Sequence, residues 1–228
     1  MNTLTTPPVK AVLDRLQAGA QDEHSELIEV GQEMAARVRQ EPGRVMYDLP
    51  VSEMVDLFGG LRIPVSNETG ELLYLLARFG GARTVVEFGT SFGVSTIYLA
   101  SAVRDNGGGR VIGTEMHPDK VATASRNLAD AGLADLVEIR SGDARETLQD
   151  LPDGVDLLLI DGFPAVHLEI LRTVEKRLRP GALVIADGVP GGRKILREYR
   201  DYVGDPANGY ASVQIPLGDE LDVSLWLG

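Results

Sequence analysis

The chain has 228 residues, a formal net charge of −12 and no cysteine, and 43% of its residues are hydrophobic. This length fits one α/β domain, and the composition excludes disordered and fibrous classes. The 22 Lys and Arg residues are scattered, so no nucleic-acid partner is expected. The lack of cysteine fits a cytoplasmic protein, and no apolar run approaches the ~18 residues of a membrane helix, so no membrane partner is expected.

The first third of the chain has a helical pattern. Glu71–Phe79 (ELLYLLARF) is a dense apolar stretch that predicts a helix ending at two glycines. An earlier helix is predicted by apolar or small residues at helical spacing, which are Leu27, Gly31, Met34 and Val38. Residues 41–64, interrupted by Pro and Gly, predict a loop and a short helix. We expect residues 1–62 to form a helical cap segment and residues 63–228 to form one compact unit.

From residue 83 the pattern becomes strand, loop and helix. The predicted strands are Thr84–Phe88, Arg110–Thr114, Leu136–Ile139, Val155–Ile160 and Ala182–Ala186. The predicted helical segments are Ser95–Val103, Asp119–Ala131, a short turn near Arg145–Leu151, and His167–Leu178. Buried strands joined by helices indicate an open, doubly wound parallel sheet. Ser212–Ile215 and Leu221–Leu227 predict a C-terminal antiparallel hairpin at one edge, which makes the sheet mixed.

The first predicted strand ends in a glycine loop that opens into a helix. Gly89 and Gly93 allow a ligand to approach the backbone closely, and the helix N-terminus behind them offers free N–H groups. The alternative is that these glycines only allow the strand and the helix to pack closely, without any ligand. The spacing is Gly-x-x-x-Gly, which does not match the dinucleotide fingerprint, so an NAD-dependent oxidoreductase is disfavoured.

The ends of the next two predicted strands are also polar. Glu115 ends the second strand, where a carboxylate can accept hydrogen bonds from both hydroxyls of a ribose. Asp143 and Ala144 follow the third strand, where they either border an adenine ring or, for Asp143, cap a helix. Together the three strand ends describe an adenosine pocket. Glu87 adds a carboxylate that suits a cationic cofactor without phosphate.

These motifs, in this order, resemble class I S-adenosylmethionine-dependent methyltransferases, and among them the small O-methyltransferases similar to catechol O-methyltransferase. The matching segments are TVVEFGTSFGVSTIYLA, GTEMHPDKVATASRNLADAGL, SGDA, LLLIDG, RLRPGALVIADGV and IPLGDEL. The resemblance extends from about Ile63 to the C-terminus. It implies a Rossmann-like class I methyltransferase fold that transfers a methyl group from S-adenosylmethionine to a small molecule.

The resemblance also implies roles for individual residues. Glu87, Gly89 and Gly93 would line the methionine portion of the cofactor, and Ser95 would bind its carboxylate. The other residues expected at the cofactor are Val65, Ser66, Glu115 at the ribose, Met116, Asp143 and Ala144 at the adenine, and Asp161. His117 either faces solvent or lies beside the adenine. The N-terminal helices would cover the active site, and members of the family suggest a homodimer.

The catalytic end of the resemblance is incomplete. Relatives bind a divalent cation such as Mg²⁺ through an Asp after the fourth strand and an Asp-Asn pair after the fifth, which here are Asp161, Asp187 and Gly188. The two aspartates alone can hold Mg²⁺ together with water. Relatives also place a lysine general base at the position that is Pro164 here. The loss of both groups makes metal-assisted chemistry doubtful.

Without that lysine, proton removal falls to Asp161, to His167, or to water. His167 has an ordinary pKa that suits a base near neutral pH, although a structural role is the alternative. We therefore expect a methyltransferase acting on a hydroxyl oxygen, with a metal-independent N- or C-methyltransferase as the second hypothesis and a non-catalytic cofactor-binding protein as the third. The sequence does not identify the acceptor. Phe163 either packs on an aromatic acceptor or fills the core.

Overall fold

The computed structural model describes residues 2–22, 24–39, 53, 55, 59–188, 194–218 and 220–228. The helices are α1 (Pro7–Asp22), α2 (His24–Arg39), α3 (Asn67–Phe79), α4 (Val94–Asp105), α5 (Pro118–Asp130), α6 (Ala144–Thr147), α7 (His167–Glu175) and α8 (Arg197–Gly204). The strands are β1 (Thr84–Phe88), β2 (Arg110–Glu115), β3 (Val137–Ser141), β4 (Val155–Ile160), β5 (Leu178–Asp187), β6 (Tyr210–Ile215) and β7 (Leu221–Trp226). No helix in these ranges has both the length and the apolar character needed to cross a membrane.

The seven strands form one sheet in the order β3-β2-β1-β4-β5-β7-β6. The first five strands run parallel, while β7 is antiparallel to both β5 and β6. This arrangement confirms the predicted mixed sheet with a C-terminal hairpin at one edge. The order reverses direction at β1, because β2 lies on one side of it and β4 on the other. In such sheets this switch point is where ligands bind.

Helices cover both faces of the sheet, so the core has two parts. One cluster joins α1, α3, α4 and α5 to one face, and the other joins α6, α7 and α8 to the opposite face. Side chains that alternate along a strand divide between them, as Val85 and Val86 of β1 show. Strands buried on both faces explain the unbroken apolar runs of the sequence.

Helix α1 is part of the main core. Val9, Val12, Leu13 and Leu16 follow a helical spacing along it, are all buried, and pack in the same cluster as Val85 of β1. The predicted boundary at residue 62 stays a prediction, but this helix packs with the sheet unit. Much of the predicted loop over residues 41–64 lies outside the described residues.

Candidate active site at the switch point

The carboxyl ends of β1 and β4 lie in direct contact at the switch point. The Asp161 N–H donates to the Phe88 carbonyl oxygen at 2.8 Å, which continues the ladder one step beyond β4. Gly89 has a φ of 98°, and a Cβ added there would lie 2.5 Å from the Asp161 carbonyl oxygen. Only glycine fits this position, because any side chain would force the two strand ends apart.

Glu87 lies beneath the glycine loop and anchors it. Its side chain is 0% exposed, and its carboxylate accepts hydrogen bonds from Thr90 Oγ1 at 2.9 Å, Ser95 Oγ at 2.7 Å and Thr96 Oγ1 at 2.5 Å. Burial raises the pKa of Glu87, and this outweighs the three hydroxyl hydrogen bonds, which act to lower it. The side chain has no exposed surface and supports the loop from below, so the predicted contact of Glu87 with the methionine portion stays a prediction.

Glu115 is half-buried at the end of β2 and is oriented by the backbone. One carboxylate oxygen accepts from the Ser91 N–H and the other from the His117 N–H, both at 2.8 Å. A carboxylate oxygen has about two acceptor positions, so each oxygen retains capacity for a hydroxyl of a ligand. The two backbone bonds hold the carboxylate in one orientation. This geometry suits the predicted ribose contact.

The N-terminus of α4 faces a small cavity above the glycine loop. Gly93 is the N-cap, with a φ of 89°, and has no side chain to accept from the first amides of the helix. The free amides and the helix dipole favour an anionic group here. Ser95 lines this cavity, but its hydroxyl proton is given to Glu87, so its predicted contact with a cofactor carboxylate stays a prediction.

The cavity lining also includes residues that the sequence did not single out. Among the described residues, the lining consists of Leu16, Arg62, Ile63, Pro64, Val65, Gly89, Thr90, Ser91, Phe92, Val94, Ser95 and Asp161. Val65, Gly89, Ser95 and Asp161 were expected at the cofactor. Arg62 and Phe92 were not, and the Arg62 guanidinium lies 5.3 Å from the centre of the Phe92 ring. No sequence signal marks such a cation–π pair, because its partners are 30 positions apart.

The residues predicted near the adenine have local roles in the fold. Asp143 is the N-cap of α6, accepting from the Arg145 N–H at 2.9 Å, and the Arg145 side chain also binds its carboxylate. This hydrogen bonding lowers the pKa of Asp143. Ala144 is buried in the core. The capping alternative is thus observed, and the contacts of Asp143, Ala144 and Met116 with adenine stay predictions.

Ser66 and His117, the two remaining residues near the predicted cofactor, are both half-buried. Ser66 is the N-cap of α3: its hydroxyl accepts from the Thr69 N–H at 3.1 Å, so its contact with a cofactor stays a prediction. His117 is half-buried, and a Cβ added to Gly59 would lie 2.5 Å from its ring. His117 therefore packs against the segment before α3 rather than projecting fully into solvent.

Asp161 and Asp187 end neighbouring parallel strands. Ile160 pairs with Ala186 in the sheet, and each of these residues is followed by an aspartate. The two carboxylates were predicted as metal ligands. Within the described ranges no group of three or more His, Cys, Asp or Glu residues is arranged to hold a metal ion. The donor set of the described residues therefore falls short of the three-ligand site that the resemblance implied.

His167 is the first residue of α7 and is 0% exposed. Its Nε2 lies 3.1 Å from the Gly162 carbonyl oxygen, and its ring packs edge-on against Phe88 and Tyr199. Burial lowers the pKa of His167 to about 4. These contacts favour the structural alternative for His167, because the ring is fully buried and its Nε2 is hydrogen-bonded to the backbone, and its role as a catalytic base stays a prediction.

The sheet order and the position of the switch point are those of the class I methyltransferase fold. A family model described as "Methyltransferase domain" matches residues 86–189. A catechol O-methyltransferase from Niastella koreensis is 36% identical over 140 residues, which is 60% of this chain and 62% of that protein. The chain thus spans less than two thirds of that relative.

Longer matches agree with this class. A Mycobacteroides abscessus protein named "Putative O-methyltransferase" is 34% identical over 73% of this chain and 81% of that protein. The O-methyltransferase TomG from Streptomyces achromogenes, solved in complex with SAM, superposes with a TM-score of 0.67 at 29% identity, over 77% of this chain and 87% of that one. The chain belongs to the O-methyltransferase family of class I methyltransferases.

Proposed function

We propose that this protein transfers a methyl group from S-adenosylmethionine to a hydroxyl oxygen of a small molecule. The observation that carries this proposal is the convergence of the Gly89–Gly93 loop, the oriented carboxylate of Glu115 and the strand end at Asp161 around the switch point of the sheet. The family to which the chain belongs supports the same activity.

The residues of the switch point match the parts of the cofactor. Glu115 accepts from the ribose hydroxyls, since its oxygens are fixed by two backbone N–H groups and retain free acceptor positions. The amides at the N-terminus of α4, behind Gly93, bind the methionine carboxylate. Val65 and Asp161 close the cavity beside them. The bound cofactor supplies an electrophilic methyl group on a sulfonium.

The protein's own contribution to the reaction is alignment. Methyl transfer is a displacement in line with the breaking bond, so holding the acceptor oxygen at the correct distance and angle supplies most of the acceleration. Asp161 remains the candidate that accepts the acceptor's proton, since it lines the cavity. The position of the expected lysine is Pro164, which is buried at the first position of a 3₁₀ turn.

This proline favours a second candidate, a methyltransferase of the same fold that works without a metal on nitrogen or carbon. Neither Pro164 nor Gly188 supplies the base or the third ligand of metal-dependent relatives. Turnover measured in excess EDTA decides between the candidates. Unchanged turnover supports the metal-independent enzyme, whereas loss of turnover and its recovery with Mg²⁺ support a metal held by Asp161 and Asp187.

Calorimetric titration with S-adenosylhomocysteine tests the cofactor site. We expect specific binding by the wild type and a loss of about 1.5–3 kcal/mol for Glu115→Ala, because the ribose hydroxyls lose hydrogen bonds to a charged group. Glu138→Ala is the matched control, since Glu138 is an exposed acid on the neighbouring strand β3. Absence of binding by the wild type, or equal binding by both variants, contradicts the proposed site.

We also propose that the protein forms a homodimer through an apolar face beside α3. Leu75 and Phe79 lie one helical turn apart on α3 and are 60% and 94% exposed. Val213 and Leu225 of the edge hairpin are 59% and 38% exposed, and Val213 pairs with Val223, which packs on the same core cluster as α3. Exposed apolar groups on one face are typical of an interface.

Sedimentation analysis tests this surface. The wild type is expected to sediment as a dimer and Phe79→Asp as a monomer, because a buried charge without a partner opposes association. Thr173→Asp, on α7 of the opposite face of the sheet, should leave the dimer intact. A monomeric wild type, or a dimer that tolerates the charge at position 79, excludes this face as the interface.

A further inference from the structure

A histidine forms a hydrogen bond between the two ends of the loop that follows Asp161. The β4–α7 loop, residues 162–166, leaves the switch point and enters α7 at His167. The ring of His167 turns back, and its Nε2 lies 3.1 Å from the carbonyl oxygen of Gly162. Because a carbonyl only accepts, Nε2 carries the proton and the ring is a neutral donor. The hydrogen bond therefore joins the two ends of this loop.

The His167 ring is held from two sides. It meets Phe88 with a centroid distance of 6.4 Å and Tyr199 with a centroid distance of 6.0 Å, both edge-on. Phe88 ends β1 immediately before the glycine loop, and Tyr199 is a buried residue of α8. The donor is thus fixed relative to the strand that carries the cofactor loop, rather than to a flexible part of the surface.

The loop itself is fitted closely to the same strand. A Cβ added to Gly162 would lie 2.4 Å from the Phe88 ring, so the backbone of the loop passes directly over that ring. Pro164 is buried and begins the 3₁₀ turn that leads into α7. Few arrangements of residues 162–166 satisfy these contacts at once, and this loop directly follows Asp161, which lines the cavity.

We propose that His167 is a positioning residue for methyl transfer: through its hydrogen bond to Gly162 it sets the β4–α7 loop, and with it the wall against which the acceptor is aligned. The inference rests on the proposed function, because alignment matters only if transfer occurs at this strand end. A displacement of about 1 Å in such a wall costs as much as ~100-fold in rate. His167 acts through the loop and does not touch the reacting atoms.

Two variants separate this role from packing. His167→Phe fills the site without a donor, whereas His167→Gln retains an N–H that reaches the Gly162 carbonyl. The first measurement is amide hydrogen exchange of the peptide that contains residues 162–166, with the bond from the Val166 N–H to the Phe163 carbonyl as its internal probe. We expect about tenfold faster exchange in His167→Phe and near wild-type exchange in His167→Gln.

The second measurement is steady-state kinetics with 3,4-dihydroxybenzoate as the acceptor probe. His167→Phe should lower kcat/KM at least about tenfold while its affinity for S-adenosylhomocysteine stays at the wild-type value. His167→Gln should recover most of the loss. Gly162→Ala pushes the loop away from Phe88 and keeps the histidine, so it should reproduce the kinetic defect. This variant replaces His167→Phe in the test if His167→Phe does not fold.

Tyr199→Leu is the control for packing, since it removes a ring neighbour and keeps the hydrogen bond. Lower thermal stability with unchanged loop exchange in this variant supports the positioning role. Equal exchange and equal kinetics in His167→Phe and the wild type overturn it, as does a parallel loss in Tyr199→Leu. If the wild type methylates nothing, the proposed function fails, but the exchange measurements still decide whether His167 sets the loop.

Discussion

Removal of the buried carboxylate under the glycine loop is the perturbation that the structure predicts in most detail. Glu87 is 0% exposed and accepts hydrogen bonds from three hydroxyls that are themselves buried, those of Thr90, Ser95 and Thr96. Glu87→Ala removes both acceptor oxygens, and with them all three hydrogen bonds, and leaves a cavity between the loop and the first turn of α4. The loop and the helix N-terminus should both lose their fixed geometry.

The expected loss of stability follows from these contacts. Each buried hydroxyl left without an acceptor costs about 1–3 kcal/mol, and the lower value applies where the hydroxyl turns to a backbone carbonyl nearby. With the lower value for each of the three hydroxyls, their loss together with the cavity gives about 3–5 kcal/mol. This is a large share of the ~5–15 kcal/mol by which a domain of this kind is stable. Binding of S-adenosylhomocysteine should weaken in parallel.

Urea unfolding monitored by circular dichroism measures this loss, and Glu87→Gln is its control. The amide retains one acceptor and donates to one hydroxyl, so its cost should be only about 1 kcal/mol. Because burial raises the pKa of Glu87, the wild type should lose part of its advantage over Glu87→Gln as the pH rises above 4.5. A loss below about 1 kcal/mol for Glu87→Ala would refute the anchoring role.

Three other outcomes follow from the site. Gly89→Ala should abolish S-adenosylhomocysteine binding because its Cβ meets the Asp161 carbonyl, whereas Gly107→Ala, also at a φ near 91° but in open space, should only lower stability. The difference in free energy of unfolding between the wild type and His167→Phe should be largest above pH 6.5 and should disappear as the pH falls towards 4, because burial lowers the His167 pKa to about 4. Chelation with EDTA should leave S-adenosylhomocysteine binding unchanged, because calorimetry reports the adenosine site and not a metal.

Much of the fold could be predicted because its signals are local. The five parallel strands are apolar runs flanked by glycine or polar residues, and each was predicted within a few residues of its observed bounds. β5 begins at Leu178 rather than Ala182 because the polar, Pro- and Gly-containing start of the strand has no apolar pattern. α8 was not predicted, since its sequence REYRDYVG buries only Tyr199 and Val203.

The site could be predicted by position but not by orientation. The strand ends that form it follow from topology, and Glu115 has the geometry expected of it. Glu87 lies only two residues before Gly89, yet its side chain is buried beneath the loop. Its carboxylate accepts hydrogen bonds from three hydroxyls of the loop and of α4. For His167, a shift of one position along the helix would turn the side chain from the core to the cleft, and the sequence does not fix that position. Its ring contact with Tyr199 comes from α8, which begins 30 residues later and which no local pattern reveals.

Transfer of a radiolabelled methyl group tests the central claim most directly. The wild type is incubated with labelled S-adenosylmethionine and a panel of catechols and other small phenols, and products are separated and counted. We expect label on a hydroxyl oxygen of at least one acceptor, and far less label with Glu115→Ala under the same conditions. Tight cofactor binding with no label on any hydroxyl, or equal labelling by Glu115→Ala, would contradict it.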